Sequence, residues 1–124
     1  MPKTDPEVEQ LIEDKARELG VNRRDISEEE ITERTLYPMI NEGARILEEK
    51  IAARPSDIDI VWTNGYGFPI GKGGPMFWAD VEGLKKIADR LEYWHGKTGN
   101  SVFEPAGLLK RLAASGGSFS ARPA

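Results

Sequence analysis

The chain has 124 residues, a net charge of −4 and no cysteine, with 31% charged and 39% hydrophobic residues. That is enough for one domain with a modest core; it excludes disulfides and zinc–thiolate sites, and the acidic balance argues against a nucleic-acid partner, which would favour a basic face. No apolar run reaches membrane-spanning length and no signal-peptide pattern is present, so together with the missing cysteine the expectation is a cytoplasmic protein.

In chain order, residues 5–20 read as a first helix, with Pro6 at a first-turn position, Val8, Leu11, Ile12, Ala16 and Leu19 on one stripe, and Gly20 as its stop. Ser27 opens a second helix. Ser27 and Glu30 have the spacing of a capping box, Ile26 and Ile31 that of a hydrophobic staple, and Glu28, Glu29 and Glu30 place negative charge at the positive end of the helix dipole. Its apolar period runs on to Ile51 through Pro38, where a kink is expected and not a stop. Asn41, Gly43 and Ala44 form a face small enough for another helix to come close, and Glu42 and Arg45 are spaced to pair. After Pro55, Ser56 reads as a cap. Residues 56–65 fit a short helix, and the alternation around Ile58, Ile60 and Trp62 also fits a strand; the helix is preferred.

Residues 63–80 (T-N-G-Y-G-F-P-I-G-K-G-G-P-M-F-W-A-D) combine five glycines and two prolines with Tyr66, Phe68, Phe77 and Trp78. A flexible linker carries few large apolar groups. The mixture therefore predicts one ordered loop, held by burial of Phe68 and Trp78 and independent of any ligand. Asp80 then caps a helix running to about His95, stopped by Gly96, and Pro105 starts a last helix bearing Leu108, Leu109 and Leu112. The domain is expected to span residues 1–114, with the Gly/Ser-rich residues 115–124 as a flexible tail.

The constellations that could carry chemistry fail their spacing tests. From Gly65 the third position of a dinucleotide fingerprint is Ile70, and from Gly67 only three residues precede Gly71-Lys72, where a Walker loop needs four and a following hydroxyl residue. His95 is the single histidine and falls in the last turn of a helix, where a cation favours the dipole. No calcium-loop spacing runs through the acidic cluster at 28–33, which reads as a solvated face. No catalytic, cofactor-binding or metal-binding residue is assigned. Asn64, Tyr66, Phe68, Lys72 and Phe77 are kept as a possible domain-interface or ligand-contact loop.

N-G-Y-G-F-P at residues 64–69 and G-G-P-M-F-W-A-D at 73–80, preceded by N-E-G-A-R-I-L-E-E at 41–49 and S-D-I-D at 56–59, resemble the C-terminal domain of 3-hydroxyacyl-CoA dehydrogenases. More narrowly, they are similar to the second copy of that domain in the multifunctional α-subunit of fatty-acid β-oxidation, over roughly residues 5–112. The resemblance implies an all-α fold, the helical C-terminal domain of the 6-phosphogluconate/3-hydroxyacyl-CoA dehydrogenase type. It also implies that NAD and the His-Glu proton chemistry belong to a Rossmann domain absent from this sequence, so that this chain alone is inactive and is a piece of a longer enzyme. His95 does not match the catalytic histidine's motif. The partners implied are that Rossmann domain, a first helical copy and the acyl-CoA substrate, with this copy giving packing and oligomer contacts. A homodimer of the isolated chain is expected to use the faces around Met39, Gly43 and Leu47 and around Phe68, Met76 and Phe77. A stand-alone helical interaction module and a small acyl-CoA-binding protein are the alternatives.

Overall fold

The computed structural model describes residues 3–121, and among these every regular element is helical. Six α-helices follow one another: α1 (Pro6–Glu18), α2 (Glu28–Glu48), α3 (Pro55–Gly65), α4 (Pro75–Glu82), α5 (Leu84–Thr98) and α6 (Gly107–Ser115). Short 3-10 turns lie at Ile70–Lys72 and Ser101–Phe103. Residues 56–65 are thus helix and not strand.

α2 is the axis of the bundle, and α3, α4, α5 and α6 all pack on it. Tyr37, Ile40, Ala44 and Leu47 from α2 meet Ile58, Met76, Ala79, Ile87, Leu91, Trp94, Leu108 and Leu109 in one core. The small face does what its composition predicts. Met76 of α4 sits on Gly43, where an added Cβ would lie 2.5 Å from the Met76 sulfur. Pro38 removes one intrahelical amide, yet α2 continues to Glu48.

Ser27 caps α2 through its hydroxyl, which accepts from the Glu30 amide at 3.1 Å. The second half of the expected box is missing, because the Glu30 carboxylate turns to Arg24 and Arg34. Ile26 and Ile31 both remain exposed.

Several boundaries correct the sequence expectations. Arg54, not Ser56, is the N-cap of α3, with Pro55 at the first position and Asp57 accepting the Arg54 amide at 3.0 Å. The helix expected from Asp80 to His95 is two helices: Pro75 opens α4 three residues after the 3-10 turn, and Gly83, at φ 105°, breaks α4 from α5. α5 then passes Gly96 and stops at the left-handed Gly99. Pro105 precedes α6, whose N-cap is Ala106.

A tail was expected from residue 115, but Phe119 is only 1% exposed and belongs to the core. Its amide donates to Asp80 Oδ1 at 2.7 Å, and the Ser120 amide and hydroxyl donate to Asp80 Oδ2 at 3.0 and 2.6 Å. One aromatic and one carboxylate outweigh the Gly/Ser composition; residues 122–124 of the expected tail lie outside the described residues.

Two buried polar groups lock the bundle. Asn41, 0% exposed, donates through Nδ2 to the carbonyls of Val102 and Glu104 at 3.2 and 2.7 Å and accepts from the Ala106 amide at 2.7 Å. Glu33, 2% exposed, takes both Arg90 Nε and Nη2 at 2.8 Å and the Trp94 indole N–H at 2.8 Å. Burial pushes the Glu33 carboxyl up, but these donors more than offset it and hold it below the usual glutamate value.

Candidate functional site

The Gly/Pro/aromatic stretch divides into the end of α3, a connection from Tyr66 to Gly74, and α4. The connection is pinned at its start by the Phe68 amide, which donates to the Trp62 carbonyl at 3.0 Å, and Phe68 is buried. Gly73 and Gly74 both have positive φ. A Cβ at Gly73 would meet the Phe77 ring at 2.6 Å, and one at Gly74 would collide with the side chain of Asp59. Trp78 is half-buried and meets Tyr37 with ring centroids 6.3 Å apart.

The five residues kept as an interface or ligand loop do not converge on one point. Asn64 lies inside α3, in place of the left-handed cap that asparagine often supplies, and its side chain donates to the Ile60 carbonyl at 3.0 Å. Tyr66 is 71% exposed and its ring leans on Trp62, tilted by 46° with centroids 4.9 Å apart. Lys72 is exposed and lies 5.6 Å over the Trp78 ring. Phe77 points outward from α4 at 54% exposure, whereas Phe68 belongs to the interior.

The decisive residue of this region is Asp59, whose spacing from Ser56 reads as the carboxylate of a helix cap and not as a contact to α4. Asp59 Oδ1 accepts from the Met76 amide at 2.7 Å and Oδ2 from the Phe77 amide at 3.1 Å. A glycine turn leading into a helix N-terminus is a ready anion site. Here the protein's own carboxylate fills it, and the close approach of Gly74 to Asp59 leaves no space between them. Burial is the largest influence on Asp59 and, with the nearby Asp80 charge, pushes its carboxyl above the usual aspartate value, although the two amides pull the other way. The S-D-I-D segment could have revealed Asp59, since a carboxylate one turn into a short helix can cap a neighbour, but nothing in its spacing names the amides it serves.

Beside this clasp is a cleft of about 650 Å³, bounded by Leu47, Met76, Phe77 and Phe119 with Lys50 and Arg54 at its edge. Asp59 and Asp80 line it, and each is engaged by backbone amides. Arg54 is bound to Asp57 at 2.8 Å. The cleft is mostly apolar; the Ser120 hydroxyl on its wall is bound to Asp80, a carboxylate that already accepts two backbone amides, and no histidine lines it. His95 is half-buried on α5, away from it, and among the described residues no cluster of three potential metal ligands occurs.

A family model described as 3-hydroxyacyl-CoA dehydrogenase, C-terminal domain, matches residues 31–120. The chain belongs to that family. It is 45% identical over 115 residues to the peroxisomal bifunctional enzyme of Danio rerio and 42% identical to that of Homo sapiens, covering 92% of this chain and 16% of each relative. The glyoxysomal fatty acid beta-oxidation multifunctional protein MFP-a of Brassica napus is 40% identical over 96% of this chain and 17% of the relative. The chain therefore spans about one sixth of the length of these relatives. Their names correct the cytoplasmic expectation, since they place relatives of this 3-hydroxyacyl-CoA dehydrogenase domain in peroxisomes and glyoxysomes. Absence of cysteine bears on redox environment and does not distinguish cytosol from organelle interior.

Dinucleotide binding by this domain would need free amides at a glycine turn. After the turn at Gly73-Gly74, Asp59 takes the Met76 and Phe77 amides that open α4, so those amides are not free for a phosphate.

Proposed function

We propose that this domain serves an NAD-dependent 3-hydroxyacyl-CoA dehydrogenase of fatty-acid β-oxidation, as a helical support that supplies packing and oligomer contacts and no catalytic group. The observation that carries the reading is the internal occupation of the glycine turn by Asp59, in a domain whose family match covers residues 31–120. On this reading NAD and the proton-transferring pair sit on a Rossmann domain, and that domain, a first helical copy and the acyl-CoA substrate are the partners. The setting is the peroxisome-type β-oxidation for which the relatives are named. The loop from Asn64 to Phe77 acts as shaped packing, with Tyr66, Lys72 and Phe77 presented outward and Phe68 anchoring it.

The test is to incubate the purified chain with NAD and a 3-hydroxyacyl-CoA and to titrate NAD by calorimetry. The expected outcome is no NADH and no binding heat; measurable NADH would overturn the reading. The apolar cleft with Lys50 and Arg54 at its edge favours, as a second reading, a small acyl-CoA-binding role. Saturable heat on titration with an acyl-CoA, with none from NAD, would put that role ahead.

A further inference from the structure

Two attachments hold residues 118–121 to the bundle. α6 ends at Ser115, and Gly116, at φ 69°, followed by Gly117, turns the backbone away from it. Residues 118–121 then make a small turn of their own, in which the Ser118 hydroxyl accepts from the Ala121 amide at 3.1 Å. Among the described residues, every hydrogen bond from this turn to the rest of the fold ends on the Asp80 carboxylate, given by the Phe119 and Ser120 amides and the Ser120 hydroxyl. The other attachment is the Phe119 ring, seated in the core.

The helices hold together without this turn. α6 packs on α2 and α5, buries Leu108 and Leu109, and is tied to α2 by Arg111 on Glu48 at 2.9 Å. α4 packs on α2, α3 and α5. What the turn covers is the cleft, since Phe119 and Ser120 form part of its wall beside Leu47 and Met76. A ring that borders a cavity of about 650 Å³ lacks neighbours on that side and is held less firmly than one packed all round. Asp80 also has a like charge near it, because Asp59 lines the same cleft and feels the Asp80 carboxylate. The three donors of the turn stabilise the Asp80 charge in that position.

We propose that residues 118–121 are a hinged strap that gates the cleft: released from Asp80, the strap swings out on Gly116-Gly117 and carries Phe119 with it, and the cleft opens between α2, α3 and α4 while the helices stay folded. The two glycines supply the backbone freedom at the hinge. The bond from Ala121 to Ser118 lets the strap keep its shape as it moves, and Asp80 is the latch. Segments with few ties to the rest of a fold open locally at lower cost than the whole domain unfolds. In the open state Leu47 and Met76, both buried when the strap is seated, are bared. The inference concerns contacts within this chain and does not rest on the dehydrogenase reading.

The test is native-state hydrogen exchange of the chain, followed residue by residue by NMR, with and without urea below the unfolding range. The Phe119 and Ser120 amides should be protected, yet exchange at least about a hundredfold faster than the Ala88 and Leu91 amides of α5, at rates that low urea leaves unchanged. Asp80→Asn should speed the two strap amides by about ten- to hundredfold, the scale of a lost hydrogen bond to a charged group, and leave α5 as it was. The same variant should bind the dye anilinonaphthalenesulfonate with a gain in fluorescence and no change in far-UV circular dichroism. Phe119→Ala, which removes the other attachment, should do the same to the Ser120 amide and the dye. Strap amides that exchange in step with Leu91, strap amides with no protection in the unmodified chain, an Asp80→Asn variant that leaves strap exchange or dye fluorescence unchanged, or one that loosens α5 equally would each overturn the proposal.

Discussion

α1 and α2 begin alike and end differently. Both start with a side-chain cap, at Asp5 and Ser27, both carry acids in the first turn, and both show an apolar stripe at helical spacing. Yet α1 buries nothing, and α2 buries Glu33, Tyr37, Ile40, Asn41, Gly43, Ala44 and Leu47. What separates them is side-chain size and polar complementarity. Gly43 and Ala44 let Met76 and its helix approach closely, and Asn41 reaches three backbone groups across the gap. α1 has Ala16 as its small residue, and Ala16 is the one position on it that is half-buried, against the turn that follows. A periodic stripe states that a helix needs a partner; small residues and a placed amide determine whether the same chain provides it.

Substitutions can break or sharpen this contrast. Ile40→Ala, at a fully buried α2 position, should cost about 2–5 kcal/mol in urea unfolding. Asn41→Leu should cost about 2–3 kcal/mol, because the Val102 carbonyl and Ala106 amide lose their partner, while Arg45 still serves the Glu104 carbonyl. Glu33→Gln should cost about 1–2 kcal/mol at neutral pH, below the figure for a fully buried pair because Arg90 keeps access to water.

The same carboxylate sets part of the acid limb. Glu33 is held below its usual value, and Glu30, paired with Arg24 and Arg34, is held down to about 2. Depressed carboxylates contribute stability above their unfolded value of 4.5 and lose it as pH falls through the folded one. Unfolding free energy should therefore decline from about pH 4.5 toward pH 2, and Glu30→Gln should flatten that decline. Asp59 has the opposite sign: its raised carboxyl makes stability fall as pH rises just above the ordinary aspartate range.

Gly43→Ala should cost about 1 kcal/mol, as displacement of Met76 outweighs the gain in helix propensity. Leu11→Ala on α1 should change monomer stability by less than about 0.5 kcal/mol. A large loss there would mean that α1 has a partner within its own bundle.

The all-helical fold was legible because caps and periods are local. Ser27 and the small face at Gly43 each announced their role in the chain itself, whereas Pro55 opens α3 with the cap at Arg54 and not at Ser56. The break at Gly83 was not legible, since a glycine inside a helical pattern is ordinarily tolerated and only its positive φ makes it a hinge. Asn41, Asp59 and Asp80 were misread or passed over for one reason: each serves backbone groups far away in sequence, and backbone groups leave no trace in composition. Of the faces expected to self-associate, Gly43, Leu47, Phe68 and Met76 are taken by the chain's own core and Met39 is half-buried, while Phe77 is exposed, as are Ile60, Val61, Ile70 and Val81.

The Phe119–Asp80 clasp also has a consequence for how the polypeptide is made. A nascent chain emerges with α2 and α4 complete long before the residue that seals them, because Asp80 and Phe119 are 39 positions apart. At roughly 5–20 residues per second, translation leaves Leu47 and Met76 without that cover for roughly 2–8 s. Throughout that interval the unfinished domain presents an oily gap to whatever surrounds the ribosome exit. Closure of this core thus waits for the segment around Phe119, and a product stalled between Asp80 and Phe119 is a form prone to clump.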